Sequence, residues 1–260
     1  MRSLTNMKNF KIYTLISILF CITACKESPT EPPIELNPLL TEEMVRDVSL
    51  NPGITVGTFN MLGSVDWNYA LSVPDLSKYG KVPLVIALHW SSAENVYEKY
   101  LRCQAEPGLN KLDAIIFAPD AGDFYFWEEA NSSLILTLIE YAKKYWPIDD
   151  NKIVVTGYSM GGMGTWFFGA NYPQLFSAAI PVGSYTNYNK KLKIPFYVIH
   201  GEEDQHYPVG EMIEKVDELK DLGSDIQLHI IDGYHHNTHC AYSHYLTKAA
   251  DWLLNEVWDY

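Results

Sequence analysis

One serine in the chain stands among glycines in a pattern that suits nucleophilic chemistry. Ser159 lies in the run VVTGYSMGGMGTW, with Gly157, Gly161 and Gly162 around it. Glycine loses more backbone entropy on folding than any other residue, so a cluster between an apolar β-branched run and a helical pattern needs a reason. A serine hydroxyl becomes a strong nucleophile only when a neighbouring base takes its proton. The pattern predicts a nucleophilic serine, and the alternative is a glycine-rich turn without chemistry.

Two polar loops further along the chain carry candidate acids and bases. The apolar run PFYVIHG ends in the acidic loop Glu202, Glu203 and Asp204. The later loop DGYHHNTHCAY contains three histidines. The candidate bases there are His235, His236 and His239. His200 ends a predicted strand, where a packed, hydrogen-bonded histidine is expected rather than a base.

The run GYSMG, with a strand leading in and a helix leading out, resembles the nucleophile elbow of the α/β-hydrolases. The resemblance implies that Ser159 is the nucleophile and that the amide of Met160 stabilises an oxyanion. The loop HGEED resembles the His-Gly-x-x-Asp loop of that family and selects Asp204 as the acid. The family spacing of a glycine, two residues and a histidine selects His236 as the base. Glu202, Glu203, His235 and His239 remain alternatives.

The second oxyanion donor is expected from the loop after the run PLVIALH. Relatives carry His-Gly at this position, whereas this chain has His89, Trp90 and Ser91. The donor is a backbone amide, so Trp90 can still supply it. An indole in place of glycine is expected to narrow or cover the acyl pocket.

The elements that must position these residues alternate between apolar strands and amphipathic helices from about residue 50. Strands are predicted at 67–74, 83–89, 114–119, 152–157, 177–183, 195–201 and 226–231, and helices at about 93–104, 132–146, 163–172, 209–222 and 242–257. Such alternation is typical of an α/β domain, with a mostly parallel sheet covered by helices on both faces. The alternation predicts one α/β domain, and the resemblance to the α/β-hydrolases implies that residues 50–260 form a catalytic domain of that fold.

The first part of the chain has the composition of an export signal. Three basic residues precede the apolar run IYTLISILFCITA, which is too short to span a bilayer. The sequence ITAC resembles the lipobox of bacterial lipoproteins, so residues 1–24 are expected to be a signal peptide and Cys25 the lipidated residue. Residues 25–49 are predicted to be a Pro- and Glu-rich tether. The resemblance implies an exported lipoprotein anchored in the outer membrane; surface display, and an ordinary secretory signal cleaved near Ala24, remain alternatives.

The remaining cysteines and the charge exclude several classes of function. Cys103 and Cys240 either form a disulfide or remain two buried thiols, and no metal-ligand spacing accompanies them. The formal net charge of −13 and the absence of basic runs argue against nucleic acid as a partner. No cofactor and no metal are expected.

Stretches from about Trp67 to the C-terminus resemble secreted feruloyl and acetylxylan esterases, polyhydroxybutyrate depolymerase-like proteins and related predicted peptidases. Aromatic residues in the loops around the site are candidates for substrate binding: Trp90, Trp127, Tyr158, Tyr207 and Tyr234. The resemblance implies a Ser-His-Asp esterase that removes feruloyl or acetyl groups from polysaccharides. A general carboxylesterase, a thioesterase or a serine peptidase remains an alternative, as does a non-catalytic glycan-binding lipoprotein.

Overall fold

The computed structural model describes residues 34–61, 65–91 and 94–259. Eight strands form one sheet: β1 Gly53–Met61, β2 Val65–Val73, β3 Val82–Leu88, β4 Ile115–Pro119, β5 Ile148–Tyr158, β6 Ala178–Val182, β7 Phe196–Gly201 and β8 Ile226–Ile231. Their order across the sheet is β1-β2-β4-β3-β5-β6-β7-β8. Strands β3 to β8 run parallel to one another. At the edge of the sheet, β2 pairs antiparallel with both β1 and β4.

Helices cover both faces of this sheet. They are α1 Glu42–Arg46, α2 Val96–Tyr100, α3 Glu106–Leu109, α4 Glu129–Tyr145, α5 Met160–Asn171, α6 Val209–Asp221 and α7 Ser243–Trp252. Alternate residues of β3 point to opposite faces, so Leu84 and Ile86 join one core cluster while Val85 joins the other. Helices α1, α4, α5 and α6 contribute to the first cluster, and α2, α3 and α7 to the second. The predicted α/β-hydrolase fold is confirmed.

All the predicted strands and helices are present, but the sequence reading missed β1. This strand lies at the sheet edge and is mostly exposed, so it lacks a strong apolar pattern. Its Gly57 pairs directly with Tyr69 of β2, whose ring lies across the glycine. A Cβ at Gly57 would lie 2.4 Å from the Tyr69 hydroxyl oxygen. The glycine that weakens the strand signal in the sequence is therefore what allows the ring to pack there.

The predicted tether at residues 25–49 is too long, because the folded unit begins well before residue 50. Helix α1 packs against α4 and contributes Val45 to the first core cluster, and Leu40 before it is buried too. The Trp146 indole donates to the carbonyl of Val45 at 2.9 Å, and the Asn37 amide donates to the Thr137 hydroxyl at 2.6 Å. Two apolar residues spaced five apart gave too little periodicity to reveal this packing. Cys25 and residues 1–24 lie outside the described residues.

In the described part of the chain, none of the helices combines the length and apolar character needed to cross a membrane.

A disulfide joins Cys103 to Cys240, with their Cα atoms 5.2 Å apart. Cys103 lies in a wide helical turn after α2, at Leu101–Ala105, and Cys240 lies in a short helical turn at His239–Tyr242. The bond closes a loop between residues 137 positions apart in the chain. It therefore ties the histidine-bearing loop after β8 to the helical layer beneath it.

We expect the double variant Cys103→Ser/Cys240→Ser to lose about 2–5 kcal/mol of unfolding free energy, because the bond restricts the unfolded chain. Urea unfolding of the oxidised wild type, the reduced wild type and the variant measures this. The reduced wild type and the variant should agree. Identical midpoints for all three samples would show that the bond contributes nothing.

Candidate active site

Ser159 lies in a tight turn between the end of β5 at Tyr158 and the start of α5 at Met160. Its backbone has φ 56° and ψ −115°, a conformation that non-glycine residues rarely adopt. The turn is possible because glycines on either side of Ser159 have no Cβ, so that neighbouring backbone segments can come close to them. A Cβ on Gly157 would lie 2.3 Å from the carbonyl oxygen of Gly161, and one on Gly161 would lie 1.9 Å from that of Leu88. The turn holds the Ser159 side chain at the carboxyl edge of the sheet.

The structure brings Ser159, His236 and Asp204 into one hydrogen-bonded chain. Ser159 Oγ lies 2.9 Å from His236 Nε2, and His236 Nδ1 lies 2.8 Å from Asp204 Oδ2. Asp204 follows β7, and His236 follows β8, so both approach from strands on one side of β5. The Asp204 side chain is fully buried and that of His236 is 11% exposed. This arrangement can remove a proton from the serine and stabilise the imidazolium that results.

The carboxylate of Asp204 is held in its ionised form. Burial by itself would raise the pKa of Asp204, but hydrogen bonds from His236 and from the Tyr207 amide outweigh it and hold the pKa below the ordinary value. Its second oxygen, Oδ1, accepts from the amides of His206 and Tyr207, each at 2.9 Å. An ionised Asp204 keeps a proton on His236 Nδ1 and leaves Nε2 free to accept the proton of Ser159.

The competing histidines and acids occupy other places. His235 Nδ1 accepts from the Asn237 amide at 3.2 Å, and His239 packs its ring 4.3 Å from that of Trp90. His200 is buried and donates from Nε2 to the Tyr207 carbonyl at 2.7 Å. Glu202 and Glu203 are exposed loop residues. None of these side chains links to Ser159 and Asp204 as His236 does.

The two amides expected to face an oxyanion lie at the same edge of the sheet. Met160 is the first residue of α5, where amides have no partner within the helix and the helix dipole adds positive potential. Trp90 follows β3, whose last residue, Leu88, pairs with Gly157 beside the turn. His89 fixes this loop: its Nε2 accepts from the Ala121 amide at 3.0 Å, so the proton is on Nδ1, which donates to the Trp90 carbonyl at 2.6 Å.

Comparison with known protein families identifies the family of this chain. The dienelactone hydrolase family model matches residues 124–260, which is more than half of the chain. The chain belongs to the dienelactone hydrolase family. The matched part contains Ser159, Asp204 and His236, whereas Trp90 precedes it. The prediction of an enzyme of the serine esterase class is therefore confirmed at the level of family and fold.

Individual relatives of this dienelactone hydrolase family member are distant. An "Uncharacterized secreted protein" of Arthroderma benhamiae is 25% identical over 169 residues, covering 58% of this chain and 18% of that protein. A "Putative carboxymethylenebutenolidase" of Aquifex aeolicus is 26% identical over 102 residues, 38% of this chain and 44% of that protein. The match thus spans less than half the length of both relatives. The crystal structure of the S-formylglutathione hydrolase FrmB of Staphylococcus aureus covers 78% of this chain and 99% of its own, with a TM-score of 0.64 and 16% identity.

Ser159 opens into a polar pocket of about 340 Å³. Its lining comprises Trp90, Ser91, Tyr158, Ser159, His206, Tyr207, His236, Asn237 and His239. The indole of Trp90 stands edge-on to the rings of Tyr100 and Tyr158, at 5.8 and 6.2 Å. The Trp90 indole therefore forms part of the wall of this pocket. His206, whose ring lies 4.5 Å from that of His236, was not singled out from the sequence.

Two of the aromatic residues predicted to bind substrate have structural positions instead. Tyr158 touches the pocket but is 1% exposed, and its hydroxyl donates to the carbonyl of His236, so it supports the histidine loop. Tyr234 does not line the pocket; its ring packs against Tyr242 and Tyr245, at 5.0 and 5.4 Å. Tyr158 ends β5 and Tyr234 lies in the loop after β8, and the rings of both pack against Tyr242, a contact that sequence periodicity cannot show.

Trp127 lies in a second cleft, which we call the aromatic cleft, of about 280 Å³. It is lined by Trp127, Met163, Trp166, Phe167, Tyr185, Thr186, Asn187 and Tyr188. Tyr125, which is half exposed, stacks on Trp127 with the ring centroids 4.6 Å apart and the planes 4° from parallel. The Tyr207 hydroxyl reaches Met163 Sδ at 3.4 Å and joins this cleft to the catalytic pocket. The loop after β6 was missed, although its position at the carboxyl edge of a parallel sheet could have indicated a ligand site.

No group of three or more His, Cys, Asp or Glu side chains within the described residues could hold a metal ion.

Proposed function

We propose that this protein is a carboxyl-ester hydrolase in which Ser159, His236 and Asp204 form the catalytic triad. The observation that carries the proposal is the unbroken hydrogen-bond chain from the Ser159 hydroxyl through His236 to the buried Asp204. The strained turn at Ser159 and the family membership support it further. A non-catalytic glycan-binding protein has no need for a strained serine aligned with a buried acid and base.

The geometry supports a two-step reaction. Ser159 Oγ attacks the ester carbonyl carbon while its proton passes to His236 Nε2, and the carbonyl oxygen becomes an oxyanion facing the amides of Met160 and Trp90. Collapse of this intermediate breaks the bond to the alcohol oxygen, which takes the proton from His236 and leaves. A water then attacks the acyl-enzyme with His236 as its base, and Ser159 recovers its proton as the acid is released.

We propose acylated polysaccharides as the substrate class, with feruloyl or acetyl as the acyl group. The aromatic cleft supports this because flat rings suit both sugar faces and an aromatic acyl ring. Half-exposed Tyr125, stacked on the partly buried Trp127, extends such a surface beyond the cleft. Thr186 and Asn187 add polar groups between the tyrosines of the same loop. We further propose an export signal at residues 1–24 and a lipid anchor on Cys25, which would hold the enzyme at the outer membrane.

A panel of methyl ferulate, acetylated xylan and aryl acetates tests the function, with Ser159→Ala as the blank. We expect turnover of aryl acetates and of at least one of the other two. In Trp127→Ala, the ratio of kcat/KM for methyl ferulate to that for p-nitrophenyl acetate should fall about tenfold, because the ring loses its stacking partner. No turnover of any ester would refute the function. Turnover of simple aryl esters, thioesters or peptides alone would point to a general esterase, a thioesterase or a peptidase.

A further inference from the structure

Tyr207 has a backbone fixed from both sides by groups of the candidate site. Its amide donates to Asp204 Oδ1 at 2.9 Å, and its carbonyl accepts from His200 Nε2 at 2.7 Å. Burial lowers the pKa of His200, which therefore stays neutral with its proton on Nε2. Asp204 thus holds two residues at once: His236 through one oxygen and Tyr207 through the other.

The side chain of Tyr207 lines the same pocket as Ser159 and carries a hydroxyl. Its ring stands edge-on to His236, with the centroids 5.3 Å apart. The hydroxyl lies 3.4 Å from the sulfur of Met163, one helical turn after Ser159. A thioether is a weak acceptor, so the donating capacity of this hydroxyl is largely unused. Burial raises the pKa of Tyr207, although the adjacent Ser159 hydroxyl opposes this, and the phenol stays protonated at neutral pH.

The order of the strands places Tyr207 and Trp90 on opposite sides of β5. Trp90 approaches Ser159 from β3, on one side of β5, whereas Tyr207 follows β7 on the other side. His236 follows β8 on that same side, and it must return its proton to the leaving oxygen. An ester bound with its carbonyl oxygen at the amides of Trp90 and Met160 would present its alcohol oxygen to the side where His236 and Tyr207 line the pocket.

We propose that the Tyr207 hydroxyl donates a hydrogen bond to the leaving oxygen of the ester, an inference that rests on the proposed ester hydrolysis. In acylation, the bond from Ser159 Oγ to the carbonyl carbon forms and the bond from that carbon to the alcohol oxygen breaks. The proton travels from Ser159 to His236 and then to the alcohol oxygen. Tyr207 keeps its own proton throughout and stabilises the negative charge that develops on that oxygen.

Tyr207→Phe tests this role with a series of acetate esters of increasing leaving-group pKa, from p-nitrophenyl to benzyl. The value of kcat/KM reports acylation. It should fall at least about tenfold for benzyl acetate and less than threefold for p-nitrophenyl acetate, because p-nitrophenolate needs no stabilising donor. The matched control, Tyr234→Phe, changes the same group on a ring that does not line the pocket, and should leave the dependence on the leaving group as in the wild type.

Three results would overturn the role of Tyr207. The first is an equal loss of kcat/KM across the whole series, which would indicate a positioning role only. The second is no loss of kcat/KM for any ester. The third is a dependence of kcat/KM on the leaving-group pKa that becomes as steep in Tyr234→Phe as in Tyr207→Phe. The rate at which a fluorophosphonate labels Tyr207→Phe checks that Ser159 and His236 remain aligned. A wild type that hydrolyses none of the acetates would overturn the proposed ester hydrolysis itself, so the two failures are distinguishable.

Discussion

Replacing Ser159 with alanine is expected to lower kcat for ester hydrolysis by at least about 10⁴-fold, because the site loses the nucleophile aligned with His236. Alanine keeps the Cβ and the backbone conformation of the turn, so the variant should unfold at nearly the wild-type midpoint. Steady-state kinetics with p-nitrophenyl acetate, together with a thermal unfolding curve, measure both effects. Activity that persists in the folded variant would mean that Ser159 is not the nucleophile.

Asp204→Asn should reduce kcat by about 10³–10⁴-fold, since the amide cannot hold His236 in the tautomer that accepts the serine proton. The lowered pKa of Asp204 keeps its carboxylate charged at neutral pH, so the loss in the variant reports the removal of this charge and of its hydrogen bond to His236 Nδ1. Steady-state kinetics with p-nitrophenyl acetate at neutral pH measure the loss. A folded Asp204→Asn variant with wild-type kcat would contradict Asp204 as the acid of the triad.

Among the glycines that the structure describes, Gly161 is the one where replacement by alanine is expected to cause the largest loss of stability. The new Cβ would lie 1.9 Å from the carbonyl oxygen of Leu88 and 2.4 Å from its carbonyl carbon, both backbone atoms of a buried strand. Neither β3 nor α5 can move without disturbing the sheet or the turn at Ser159. We expect a loss of at least about 4 kcal/mol, or failure to fold, because overpacking against backbone cannot relax by a change of rotamer.

Gly210→Ala is the matched control, because Gly210 lies in α6 with no atom within 4 Å of the added Cβ. The same substitution there should stabilise the protein by about 0.5–1 kcal/mol through helix propensity. Urea unfolding curves of the two variants, compared with the wild type, measure the difference. A Gly161→Ala variant as stable as Gly210→Ala would show that the elbow is not packed as described.

The sequence predicted the buried part of the fold because buried parallel strands leave continuous apolar runs, as in β3 and β5. The sequence did not predict the elements at the edge of the fold. Strand β1 is exposed and contains Gly57, and α1 is one short turn whose packing depends on the distant Trp146. Such elements are stabilised by long-range contacts that leave no local periodicity.

The triad residues could be predicted because their loops resemble a family pattern, and the structure brings the same three together. The roles of the aromatic residues could not, because the direction of a side chain is set by its neighbours in space. Tyr158, at the end of β5, donates to the carbonyl of His236, Tyr234 packs against Tyr242, and Tyr207 lines the pocket of Ser159. The pairing of Cys103 with Cys240 also needed the fold, since sequence spacing alone does not bring two Cα atoms together.

Labelling with a fluorophosphonate, followed by mass spectrometry of the peptides, tests the central claim most directly. The reagent reacts only with a serine activated by its base, so it requires no knowledge of the natural ester. We predict one adduct, on Ser159, which is absent in Ser159→Ala and strongly reduced in His236→Ala. An adduct on another serine, or labelling of the wild type that is unchanged in Ser159→Ala, would contradict the account.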